Sequence, residues 1–307
     1  MRSSSPSSVI CIGAIHLDTI AHAGETIRPE TSTPAAFVSR PGGVAANVAR
    51  ALARLGVEAH LVGTVGDDAA ARELTRRLTL EGVKLAHVPR PGHTTGQYLA
   101  LHDPDGTLAA ACVDDRVLSE APCDLFDPVL DDLIAASAPE TIWFLDANLP
   151  APMLAHITGR ITGGRIVANA VSDAKAPRLQ PVLPRLDCLL LNRGEAAALT
   201  GLAQETGAED LANALARTGV RSLVLTSGAA DVLVWEAGSL SRFSTRQVPI
   251  VDVTGAGDAL TAGMLAALAR GFSLREAVPF GLSAAALTLR ATGALADDLS
   301  WDALQTF

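Results

Sequence analysis

Lysine is nearly missing from this chain of 307 residues, with Lys84 and Lys175 the only two. That scarcity excludes a phosphate-binding loop of the Gly-x-x-x-x-Gly-Lys-Ser/Thr kind, because neither lysine follows such a glycine pair. Cysteine is sparse as well. Cys11, Cys112, Cys123 and Cys188 stand far apart with no Cys-x-x-Cys pair. This argues against a zinc ribbon or a disulfide framework and fits reduced thiols in a cytoplasmic protein. Aromatic residues make up 4% of a chain that is 49% hydrophobic, so its core must be mainly aliphatic. Apolar runs such as Ile142-Trp143-Phe144-Leu145 fall far short of the roughly 20 residues that cross a bilayer. Residues 1–8 are rich in Ser and Pro without an apolar centre, and read as a frayed tail, not a signal peptide. The formal net charge of −9 comes without a basic cluster, which argues against nucleic acid as the main partner.

What is present is an alternation of short apolar strands with amphipathic helices. Residues 9–15, 60–65, 141–145, 165–168, 188–191 and 222–225 read as buried strands. Helical patterns lie between them at 69–80, 152–157, 195–200 and 210–217. The order predicts an α/β fold with a central, mainly parallel sheet flanked by helices on both faces. Two stretches break the rhythm: 19–40 and 96–113 are strand-like and turn-rich, with Asp105-Gly106 suited to a hairpin turn.

The most informative stretch is Val251-Asp252-Val253-Thr254-Gly255-Ala256-Gly257-Asp258. Val248, Ile250 and Val251 read as the end of a strand. Asp258 opens a helix that runs through Leu265 and Leu268 to a stop at Gly271. The two glycines leave backbone N–H groups uncovered at a helix N-terminus, which attracts anions. Asp258 is placed to accept a proton from an attacking hydroxyl while those groups hold a phosphoryl group. The pattern Gly255-x-Gly257 lacks the third glycine of a dinucleotide fingerprint, since Leu260 stands there. A second stretch, Pro41-Gly42-Gly43-Val44-Ala45-Ala46-Asn47, enters a helix carrying Val48, Leu52 and Leu55 on one face and closing at Gly56. Its glycine pair lets a ligand approach the main chain, and Asn47 looks back toward the same opening.

Taken in order, these stretches resemble the two signature regions of the PfkB, or ribokinase-like, family of sugar and nucleoside kinases. Further matches are Ile12-Gly13-Ala14-Ile15-His16-Leu17-Asp18 as a first strand closed by an Asp, Val62-Gly63-Thr64-Val65-Gly66-Asp67-Asp68, Leu191-Asn192-Arg193-Gly194-Glu195, and Leu225-Thr226-Ser227-Gly228. The resemblance covers the whole chain and implies one ribokinase-like domain over residues 1–307. The 19–40 and 96–113 insertions would form a small β-sheet lid over the sugar site. It further implies ATP and Mg²⁺ as cosubstrate and metal, and K⁺ as a structural ion. Asp258 would be the base, ionised at neutral pH by its helix N-terminus, with Gly255, Ala256 and Gly257 as the anion hole. Asp18, Gly42, Gly43 and Asn47 would bind sugar hydroxyls. Asn192 and Glu195 would hold water around Mg²⁺, and Thr226 and Gly228 would line the nucleotide pocket. Asp252 and Thr254 would lie near a monovalent cation completed by carbonyls around residues 291–294. One departure is Asp231, where the family often has a second Gly.

The acceptor is read from finer matches. Residues 98–106, Asp146-Ala147-Asn148 and Val171-Ser172-Asp173-Ala174-Lys175 resemble the pseudouridine kinases of that family. His16 replaces the usual Asn two residues before the sugar-binding Asp, and either faces a nucleobase or occupies a strand end. Tyr98, His16, Asp114 and Lys175 are the expected base contacts. Pseudouridine 5′-phosphorylation leads this reading. Ribokinase, fructokinase-like or adenosine kinase activity is the alternative, and a non-catalytic sugar- or nucleoside-binding regulator is the alternative from another class. Partners are then a small sugar or nucleoside, with no nucleic acid or membrane. A homodimer would form through the apolar strands of the lid.

Overall fold

The computed structural model describes residues 6–307. The N-terminal tail expected to fray lies partly outside the described residues, and within them the Ser7 N–H already donates to the Ala269 carbonyl at 2.9 Å. The chain opens with β1 (Val9–Ile12), β2 (His16–Ala23) and β3 (Ala35–Gly42), then α1 (Val44–Arg54) and β4 (Ala59–Val65). Next come α2 (Ala69–Leu80), β5 (Lys84–Pro89), β6 (Gly96–His102), β7 (Leu108–Asp114), α3 (Arg116–Ser119) and α4 (Asp127–Ala136). The middle of the chain holds β8 (Ile142–Asp146), α5 (Ala151–Arg160), β9 (Arg165–Asn169), a 3-10 stretch (Ala176–Arg185), β10 (Cys188–Asn192) and α6 (Arg193–Thr200). The last part comprises α7 (Ala208–Ala216), β11 (Ser222–Ser227), β12 (Ala230–Glu236), β13 (Ser239–Phe243), α8 (Ala256–Ala269), α9 (Leu274–Leu289) and α10 (Trp301–Thr306).

Nine strands form one sheet in the order β13-β12-β11-β10-β9-β8-β1-β4-β5. It is parallel from β11 to β5, with β12 and β13 returning antiparallel at one edge. Side chains alternate across it as the strand period requires. Val9 and Cys11 enter a core shared with α1, α2, α8 and α9. Ile10 and Ile12 enter a second core shared with α5, α6 and α7. Both faces are therefore covered, which is why the parallel strands read as continuous apolar runs.

A second sheet of four strands, β3-β2-β6-β7, is built from the two stretches that broke the rhythm. Asp105-Gly106 turns the β6–β7 hairpin, with the Asp103 N–H donating to the Thr107 carbonyl at 2.9 Å. Two strand expectations change. The first strand does not run to Asp18: β1 ends at Ile12, and Asp18 lies in β2 of the small sheet. The break falls at Gly13, where the main chain passes so close to the Asp146 carboxyl that a Cβ would collide with it. Nor is there a strand over 248–251, because β13 ends at Phe243. Pro249 has no N–H for a ladder, and Ile250, Val251 and Val253 stay more than half exposed.

Candidate active site

Helix α8 begins at Ala256, two residues earlier than expected, with Gly255 as its N-cap at φ 75°. That left-handed turn suits Gly, and a Cβ there would also run into Ala294. The first N–H groups of the helix have no intrahelical acceptor; that of Ala256 reaches the Val253 carbonyl only at 3.4 Å. Asp258 sits in this first turn and its Oδ2 accepts a hydrogen bond from Asn47 Nδ2 at 2.9 Å. The bond joins α1 to α8, bringing together two motifs that are 211 residues apart. Burial pushes the Asp258 carboxyl up to about 7; Asn47 opposes the shift, while Asp146, Asp18 and Glu195 add to it. The expectation of a fully ionised group is thus corrected: neighbouring carboxylates and lost water outweigh the helix N-terminus.

The acceptor side is formed by the start of α1 and the small sheet. Gly43 enters α1 at φ 93°, and a Cβ there would strike the Ala14 carbonyl. Gly42 is equally close to the Asp18 carboxyl. Asp18 is pushed up to about 6 by burial, against the pull of Arg50, and its Oδ1 is buried without a partner. Across the small sheet Asp18 stands in register with Arg40 on one side and Tyr98 on the other. Burial, then the Asp18 charge, raises the half-buried Tyr98 hydroxyl. Asn47 also accepts from Arg50 Nη1 at 3.3 Å, so its amide is held at both ends. A cleft of about 290 Å³ opens beside these groups, between Asp18, Ile20, Val38 and Arg40 of the small sheet and the segment 292–295.

His16 lies on the same face of β2 as Asp18, two residues earlier, and is 93% buried with Nε2 unpartnered. Burial, and then the Lys175 charge, lowers its pKa to about 4, so the ring is neutral at physiological pH. Lys175 Nζ donates to Asn148 Oδ1 at 2.6 Å and to Asp115 Oδ2 at 3.4 Å. Asp114 is not part of this group. Its carboxylate turns outward to Arg116, with Oδ2 2.7 Å from Nη2, and that pairing holds it down to about 2. The acid that meets Lys175 is the next residue, Asp115, where the chain leaves β7 at the N-cap of α3. Sequence reading quoted Asp146 within a matching stretch but gave it no role. It is fully buried and accepts from Ala45 N–H at 2.8 Å, Ala14 N–H at 3.2 Å and Asn148 N–H at 3.0 Å. It ties β8 to the β1–β2 turn and to α1. Gly13, Ala14 and Ala45 are the small residues that make room for it, which is the one signal the sequence carried.

A separate cavity of about 340 Å³ lies where the nucleotide is expected. Thr226, Gly228, Val248, Ile250, Gly257 and Leu289 are among its lining residues, so the irregular 244–253 segment forms a wall in place of a strand. Asp231 instead lines a different cavity with Arg193 and Arg242. Asn192 and Glu195 cap α6 reciprocally: Asn192 Oδ1 accepts from Glu195 N–H at 2.9 Å, and Glu195 Oε2 accepts from Asn192 N–H at 2.8 Å. One Glu195 oxygen is left for a water-held Mg²⁺, and the carboxyl, raised by burial, lies close enough to add to the Asp258 shift. These residues fit the metal. Asp252 and Thr254 fit a monovalent cation less well. Each Asp252 oxygen already accepts a backbone N–H, from Thr254 and from Gly293, both at 2.8 Å. Among the described residues no helix is long and apolar enough to cross a membrane.

Residues 6–301 match the family model described as pfkB family carbohydrate kinase. The chain is 29% identical over 286 residues to a pseudouridine kinase of Escherichia coli (strain K12), covering 92% of this chain and 90% of that one. A solved carbohydrate kinase from Agrobacterium tumefaciens is 30% identical with a TM-score of 0.85, over 98% of this chain and 96% of that one. An Arabidopsis thaliana ribokinase solved with ribose and ATP superposes with a TM-score of 0.84 at 23% identity, over 99% of this chain and 100% of that one. The fold is ribokinase-like, with the small sheet, antiparallel at both edges and parallel between β2 and β6, as its lid. The chain belongs to the pfkB family of carbohydrate kinases, phosphotransferases whose acceptor is an alcohol group of a small sugar or nucleoside.

Proposed function

We propose that this chain transfers the γ-phosphoryl group of ATP to the 5′-hydroxyl of pseudouridine. Asp258 takes the hydroxyl proton, and a base with a pKa near 7 suits that task at neutral pH. The N–H groups of Gly255, Ala256 and Gly257 hold the γ-phosphate oxygens as charge shifts toward the leaving group. Glu195, with Asn192, holds water around Mg²⁺, which neutralises charge on the phosphates when bound. Thr226 and Gly228 contact the nucleotide. Asp18, Asn47 and the backbone at Gly42 and Gly43 hold the ribose hydroxyls, with Tyr98 beside Asp18 as cover.

What supports this choice of acceptor is a polar cluster next to Asp18 in sequence and sheet: His16, with Lys175 bonded to Asn148 and Asp115. A free pentose has nothing to place against it. A uracil ring offers carbonyls for Lys175 and the Asn148 amide. When joined through carbon, it also has a ring N–H that uridine lacks. Neutral His16 has a buried, unpartnered Nε2 to accept it. Leaving such a buried group unpaired costs about 1–3 kcal/mol, or roughly ten- to a hundredfold in preference. The E. coli pseudouridine kinase supports the same reading. Incubation with Mg·ATP and pseudouridine, followed by ³¹P NMR and mass analysis, tests it: a 5′-monophosphate is expected. ADP formed with no nucleoside monophosphate would overturn it.

A further inference from the structure

The corner expected to hold a monovalent cation already contains a positive charge. Arg40, near the end of β3, reaches from the lid to the body, and its Nη1 donates to the Thr292 carbonyl at 2.9 Å. Its guanidinium lies over Gly293, where a Cβ would collide with it. The Gly293 N–H binds the Asp252 carboxylate. Burial alone would raise that carboxyl, but the Thr254 and Gly293 N–H groups and the Arg40 charge hold it below its ordinary value. One residue further on, Ala294 packs against Gly255 at the start of the phosphate-binding turn. A bound potassium ion takes carbonyl and carboxylate oxygens as ligands. Here the Thr292 carbonyl binds a guanidinium and Asp252 feels its charge, which repels a second cation.

We propose that Arg40 is a tethered substitute for the monovalent cation, so that turnover in this protein does not require potassium. Its guanidinium offsets Asp252 and the Thr292 carbonyl beneath the anion-binding turn. Because Arg40 rides on the lid in register with Asp18, the charge is delivered only when the lid lies against that segment. Closing over an acceptor then completes the electrostatics of the phosphate site. Asp18, His22, His102 and Arg50 line the same cleft. Arg50 is committed to Glu81, with Nη2 at 3.1 Å, and to the Pro41 carbonyl at 3.0 Å, and does not take over the role. Arg40 is exposed, so its distant pull is screened and its direct contact with Thr292 matters most. Arg40 is a positioning residue that acts through Asp252 and Thr292. The inference rests on the kinase chemistry of the family and not on the choice of pseudouridine.

The parent protein, Arg40→Met and Arg40→Lys are compared in potassium, sodium and tetramethylammonium chloride at equal ionic strength. Rates use Mg·ATP with pseudouridine, or with ribose if that turns over faster. Parent rates should agree across the salts. Arg40→Met should lose about tenfold or more in tetramethylammonium and regain most of it in potassium, while Arg40→Lys, which keeps the charge, stays independent of potassium. Melting temperatures with Mg·ADP give a readout free of turnover: potassium should raise that of Arg40→Met and leave the parent unchanged. A parent activated or stabilised specifically by potassium would overturn the proposal. So would an Arg40→Met loss that potassium does not restore, or potassium dependence in Arg40→Lys.

Discussion

The two cavities of the candidate site are built differently. The cavity proposed for the nucleotide draws on residues 226–289, one continuous fifth of the chain, and is walled mainly by aliphatic side chains and backbone. The acceptor side draws on β2, β3, α1 and β6 and on Asn148 and Lys175, with Asp252 and residues 292–295 added from the far end of the sequence. Its groups are charged or polar, and several are deeply buried: His16, Asn47 and Asn148 are all nearly inaccessible. ATP is common to the family, so shape and N–H donors suffice to hold it. Discrimination among acceptors needs side chains that lose something when the wrong molecule enters. On the proposed function, phosphoryl transfer happens where the two meet, at the Asn47–Asp258 bond.

The sharpest way to break that division is to disable the shared chemistry alone. Asp258→Asn should lower kcat by about 10²–10⁴-fold for every acceptor. It should leave the melting temperature no lower, since it removes a carboxylate whose charge is disfavoured by burial; steady-state rates and calorimetry check both. Gly255→Ala puts a side chain on a left-handed residue pressed against Ala294. It should cost about a hundredfold in kcat through the misplaced N–H groups, together with some stability.

Recognition is sharpened by Lys175→Met. It should lower kcat/KM for pseudouridine about tenfold more than for ribose; equal losses would show that Lys175 only props the fold. The pH profile probes the junction. Asp258 must be deprotonated to act, so log(kcat/KM) should rise with pH and level off near 7, with Asp18, at about 6, contributing to the acid limb. An inflection below pH 5 would show that these carboxyls are not raised. The smallest kinetic effect belongs to the lid's outer surface. Phe37 is 67% exposed there, in the same sheet as the exposed Leu99. We propose that this surface pairs two chains, so Phe37→Asp should convert a dimer to a monomer by light scattering while changing kcat little.

The same contrast governs what could be read from sequence. Helix α2 was legible to the residue, because Asp68 caps it and the apolar period is regular. Strands of the parallel sheet were legible as short apolar runs between helices. Helix α9 was not assigned: Pro279 and Gly281 interrupt its sequence and packing against α8 holds it, although Ser273 and Glu276 form a capping box that was there to be seen. Within the site, Gly42, Gly43, Asn47 and the 251–258 motif announce themselves because backbone geometry forces their residue types. Asp115, Asn148 and Arg40 do not, since a lone acid, amide or arginine is ordinary until the fold shows what stands opposite it. The Asp258 environment was misread for a related reason: Asp146, Asp18 and Glu195 are remote in sequence, and only the fold gathers their charges.

The most direct test of the account is the ratio of kcat/KM for pseudouridine to that for ribose, measured with saturating Mg·ATP at about pH 7.5, on the plateau of the pH profile. A polar cluster with an unpartnered His16 Nε2 predicts that pseudouridine exceeds both ribose and uridine by about tenfold or more. Ribose or adenosine ahead by the same margin would contradict the assignment of that cluster and leave the kinase family without its proposed acceptor.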